Sequence, residues 1–89
     1  MGKYSDEASN FGSRMDRFNR KLDDGITYLD SILEKIGIDI EGLEVDSLAY
    51  HTSNSVTRLK LDIERLKNDN NTDKSNVSSY ANTLDNQEE

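Results

Sequence analysis

The chain has no cysteine, no proline and no tryptophan among its 89 residues, and only two phenylalanines. Without cysteine it can form neither disulfides nor thiolate metal sites. Without proline nothing forbids long, uninterrupted helices. No stretch approaches the roughly 20 consecutive apolar residues that span a bilayer, so no membrane segment is expected. The first residues lack the apolar core of a secretory leader, so the expected location is cytoplasmic, with leaderless secretion as the alternative. Basic charge is also scarce. Eleven Lys and Arg stand against 18 Asp and Glu, a net charge of −7, which argues against an electrostatic grip on nucleic acid.

Hydrophobic residues make up 33% of the chain and charged residues another 33%. That composition suits one small domain, residues 1–89, whose core another chain would complete. The apolar residues are strongly ordered along the sequence. Tyr4, Ala8, Phe11, Met15, Phe18, Leu22, Gly25, Leu29, Ile32 and Ile36 are spaced alternately by four and three. This heptad seam predicts a helix over residues 5–36, with Ser5 as its N-cap and Gly37 as its stop.

A second seam runs through Val45, Ala49, Thr52, Val56, Leu59, Ile63 and Leu66. It predicts helix two over residues 46–69. Beyond it lies "KNDNNTDKSN", residues 67–76, which has no apolar side chain. The seam nevertheless continues in phase at Asn70, Asp73, Val77, Tyr80 and Leu84. Residues 70–86 are therefore expected to extend helix two as a polar, frayed or conditional segment. Asn70 and Asp73 would be polar layers that set register.

"GIDIEGLEV", residues 37–45, reads as the turn between the helices. The predicted fold class is all-α: two long antiparallel helices, a coiled-coil-like hairpin completed by oligomerisation or a partner. A tight turn would place Ile36 opposite Val45, Leu22 opposite Leu59, Met15 opposite Leu66 and Phe11 opposite Asn70. Arg14 would then lie beside Asp69 and Lys21 beside Asp62, leaving Tyr80 and Leu84 to overhang the start of helix one.

Chemistry-bearing constellations are few. His51 is the only histidine, and a lone His cannot assemble a zinc site. Asp23 and Asp24 have no cleft to perturb them and read as a solvated face. Arg14, Arg17, Arg20 and Lys21 are spread around their helix among acids, as salt-bridge material is. No catalytic residue, metal or cofactor is expected, and the chain reads as non-enzymatic. Ile26, Tyr28, Leu33, Ile38, Ile40, Leu43, Leu48 and Tyr50 lie off the seam near the hairpin tip. Either the turn buries them or, with Tyr80 and Leu84, they form an apolar patch for a protein partner.

An acidic hairpin of this length, with "YANTLD" near its end, resembles the WXG100 (ESAT-6-like) family and the small helical partners of LXG toxins. That resemblance implies a hairpin dimer that partners, or is a substrate of, type VII secretion. The family's Trp-x-Gly turn is absent, since the turn here reads "GIDIEGLE". Tyr80 and Asp85 are one residue too far apart for its Tyr-x-x-x-Asp signal. From the residues alone, the expected function is protein–protein interaction through helix pairing, as an adaptor or complex subunit. The partner would be a second copy or a different protein. A small acidic inhibitor or immunity-type protein blocking a basic site is the remaining alternative.

Overall fold

The computed structural model describes residues 2–36 and 50–88, with the side chains of Ile36, Tyr50 and Glu88 outside that description. Two α-helices, α1 (Lys3–Ile36) and α2 (Tyr50–Glu88), lie antiparallel along one another, and the described residues contain no strand. The all-α hairpin expected from the two heptads is the architecture found. The predicted turn at residues 37–45 and the first residues of predicted helix two, 46–49, lie outside the described residues.

Helix α1 begins two residues before Ser5, so Ser5 is not its N-cap. Gly2 occupies that place and has no side chain to offer the free N–H groups of the first turn. The missing acceptor comes from the far end of α2. The Asp85 carboxylate accepts from the Tyr4 N–H at 3.1 Å, the Ser5 N–H at 2.8 Å and the Ser5 hydroxyl at 2.5 Å. It therefore caps α1 from across the hairpin and anchors one helix's end to the other's beginning.

That anchor means residues 70–86 form no overhang. They are helical and continuous with the rest of α2, and their apolar residues flank the start of α1. Polar helix formers alone would favour fraying there. Contacts with α1 along the same stretch oppose it.

The register differs from the one a tight turn would impose. Asn70 meets Asn19, to whose Oδ1 it donates at 2.9 Å, rather than Phe11 two turns earlier. Lys74 reaches Asp16 at 2.9 and 3.1 Å. Lys67 pairs with Asp23 and Lys60 with Asp30. Each step of seven along α1 is matched by a step of seven back along α2, so the three pairs form one ladder. They replace the expected pairings of Arg14 with Asp69 and Lys21 with Asp62, whose four side chains are exposed. The physical reason is satisfaction of polar groups. This register gives Asn70, 4% exposed, an amide partner, where the expected one would have set it against Phe11.

The molecule measures 72 × 16 × 9 Å, a single layer of two helices. Its interior is correspondingly thin. Ala8, Gly12, Asn70 and Ala81 are the buried residues among those described, and no large side chain is fully buried.

Candidate functional site

A layer one helix thick has two broad faces, and here they differ in chemistry. Take Ala8, Met15, Leu22 and Leu29 as the a positions of α1, with Tyr4, Phe11, Phe18, Gly25 and Ile32 as d. In α2 the a positions are Val56, Ile63, Asn70, Val77 and Leu84, and the d positions Leu59, Leu66, Asp73 and Tyr80. In a hairpin closed on its seam, a and d would be buried together. The buried residues are instead a (Ala8, Asn70) and e (Gly12, Ala81). In α2 the d positions Leu59, Leu66, Asp73 and Tyr80 are all exposed, whereas in α1 Phe18 is exposed and the other d positions are half-buried.

One face carries the polar ladder. Lys74, Lys67 and Lys60 lie across the contact line to Asp16, Asp23 and Asp30. Gly12 makes room for this. A Cβ there would meet the Lys74 side chain at 3.2 Å, so glycine lets the lysine stem cross toward Asp16. Between the rungs, Asn19 also donates to Asn71 at 3.0 Å. The hydrogen bond to Asp23, opposed by desolvation and helped by charge attraction, raises the Lys67 pKa above its ordinary 10.5. The Ser5 hydroxyl, again opposed by desolvation and helped by two backbone N–H groups, holds Asp85 below its ordinary 3.8.

The opposite face is apolar and unmatched. Near the termini it forms an open groove of about 260 Å³, lined by residues that include Tyr4, Phe11, Val77, Tyr80 and Leu84. The seven-residue repeat carries the same face along the rod to Phe18, Leu66 and Leu59. Their exposures of 44%, 38% and 48% place them outside any core that this chain makes alone. Phe18, Leu59 and Leu66 are therefore corrections to the predicted seam. The helices rotate to bring the Lys–Asp ladder and the Asn pair into contact, and that same rotation lifts these three side chains outward.

The other expected seam residues, Phe11, Met15, Leu22, Leu29, Ile32, Val56 and Ile63, are half-buried, while the side chain of Ile36 is not among those described. Asn70 is a buried polar layer, but Asp73 is exposed on the apolar face and forms no layer within the hairpin. Of the expected tip patch, Ile26 and Leu33 are half-buried and Tyr28 is exposed. Ile38, Ile40, Leu43 and Leu48, together with the Tyr50 side chain, lie outside the described residues. Tyr80 is exposed and Leu84 half-buried, and both belong to the terminal groove rather than to an overhang. Leu61, 61% exposed, stands apart from the stripe.

The ladder residues were missed by hydrophobic periodicity, yet a signal was present. Asp16, Asp23 and Asp30 repeat every seven residues, as do Lys60, Lys67 and Lys74. Among the described residues, no cluster of His, Asp and Glu is placed to hold a metal ion. No helix among the described residues is long and apolar enough to cross a membrane. No protein-family profile, curated protein or solved structure matches this chain.

Proposed function

We propose that this protein is a helix-pairing interaction module, whose apolar face binds a protein partner and whose ladder face holds the hairpin in register. The observation that carries this is the difference between the two faces. Charged groups are neutralised inside the chain on one side, while Phe18, Leu59, Leu66 and Tyr80 stand 38–66% exposed on the other. Monomeric proteins seldom leave a continuous apolar surface of this kind in water. A helical layer with one apolar face needs a second layer to cover it.

A photo-reactive amino acid incorporated in the cell of origin tests the proposal. Placed at Leu59 or Tyr80, it should give a discrete cross-linked adduct. Placed at Asp30 on the ladder face, it should give none. Equal labelling from both faces, or adducts from neither, would defeat the interaction reading. The adduct's mass separates a second copy from a different protein.

A further inference from the structure

We infer that the apolar face is covered by the same face of a second copy, the two hairpins lying side by side with the C-terminal ends of their α1 helices at the same end. This rests on the interaction reading above and specifies its partner. The first support is the direction of the stripe. Full burial falls on a and e positions while Phe18, Leu59, Leu66 and Tyr80 at d are exposed, so the a/d stripes lean out of one face of the layer. Helices of a four-helix bundle point their a/d positions in this way, toward a shared centre rather than at one neighbour. A hairpin of this geometry is half a bundle.

The second support is area. The chain exposes 6866 Å², whereas a compact monomer of 10.1 kDa exposes about 5,300 Å². The excess is roughly 1,600 Å², about twice what each partner contributes to an interface of standard size. Burial of one face against its copy is within that reach.

Charge selects the orientation. Beside the d stripe of α1 the g positions are Glu7, Arg14, Lys21, Tyr28 and Lys35, basic at three of the five, and beside that of α2 Asp62 and Asp69 give an acidic edge; all seven are exposed. Two copies can stack by a two-fold rotation in two ways. Rotation about the short axis of the layer sets α1 on α1 and α2 on α2, basic edge on basic and acidic on acidic. Rotation about the long axis sets α1 of each copy on α2 of the other. Continuing the sevenfold stepping of the ladder, Lys21 of one copy then faces Asp69 of the other, twice by symmetry. The second arrangement therefore gains the Lys21–Asp69 pair, which the first does not offer. It also places Asp73, the one acid within the stripe, one turn from Arg14 of the other copy.

Engineered cysteines test both the self-pairing and the orientation, because the chain has no thiol of its own. Within one chain, positions 21 and 69 lie on opposite outer edges, too far apart for the Cα separation of under about 7 Å that a disulfide needs. The double variant K21C/D69C should sediment as a dimer and oxidise to a covalent dimer, with each single variant cross-linking far less. Lys21→Asp alone should weaken association about tenfold, since symmetry repeats the lost pair, and K21D/D69K should restore it. A dimer in which the double variant cross-links no better than the singles would overturn the orientation. A monomer at several hundred micromolar would overturn the self-pairing. In that case an adduct of non-doubled mass at Leu59 would still uphold the interaction reading, and absence of any adduct would remove both.

Discussion

Asp85 joins the two helix termini at the open end of the hairpin. Its carboxylate takes three donors from the first turn of α1, and these bonds favour the ionised form, which is why its pKa lies below 3.8. A carboxyl group with a depressed folded pKa stabilises the fold fully above its unfolded value. That contribution disappears as pH falls through the folded value. Thermal stability should therefore drop on acidification below about pH 3.8. In Asp85→Ala the melting temperature should already be lower at neutral pH, and the part of the acid-induced drop owed to this group should vanish. Amide exchange at Tyr4 and Ser5 should also speed up in that variant. Unchanged exchange there would show that the cap does not hold the helix start. Gly25 offers a contrast at the same scale. It stands on the seam of α1, yet a Cβ there would meet nothing within 4 Å. The tight glycine is Gly12, under the Lys74 stem.

Between the two elements, alignment comes from charge and amide pairing. Partly exposed ion pairs contribute little individually. Three in heptad spacing on both helices, however, distinguish one register from its neighbours, because a slip of a few residues separates all three at once. The buried Asn70 sharpens this choice, since leaving its amide without Asn19 would strand a desolvated polar group. Reversal of one rung tests the ladder. Lys67→Asp sets two carboxylates together at Asp23 and should lower the melting temperature. Asp23→Lys should do the same to a lesser degree, and the double reversal should recover most of the loss. Additive losses in the double variant would mean that the two side chains do not interact.

For the whole molecule, the governing fact is that two helices in a single layer bury, among the described residues, little beyond Ala8, Gly12, Asn70 and Ala81. A charge at a residue buried in the seam would disrupt folding and binding together. With Leu59 half outside the contact, the expected outcome is a separation of the two. In the wild-type chain the melting temperature should rise with protein concentration, as it does when association stabilises the folded state. Leu59→Asp should melt at one temperature irrespective of concentration, while remaining helical at low temperature. A concentration-dependent melt in the variant equal to that of the wild type would place the interface elsewhere.

How much of this was legible in the residues is clear from particular elements. Spacings of three and four from Tyr4 to Ile36, with no proline, determined α1 almost to the residue, because a 3.6-residue repeat has only one conformation that gathers those side chains. The same phase returning at Val77, Tyr80 and Leu84 carried α2 through its polar middle. The count of apolar residues also indicated that one chain would not complete a core. Periodicity could not decide the angle at which each stripe meets its neighbour, since a seam for a two-helix contact and one for a four-helix bundle have the same spacing. It could not decide register either, because any shift by whole heptads preserves the pattern. Those choices required both helices in place. Only then do Asp16, Asp23 and Asp30 find Lys74, Lys67 and Lys60, Asn70 finds Asn19, and Asp85 reaches the start of α1, turning Phe18, Leu59 and Leu66 outward because polar groups are satisfied on the other side.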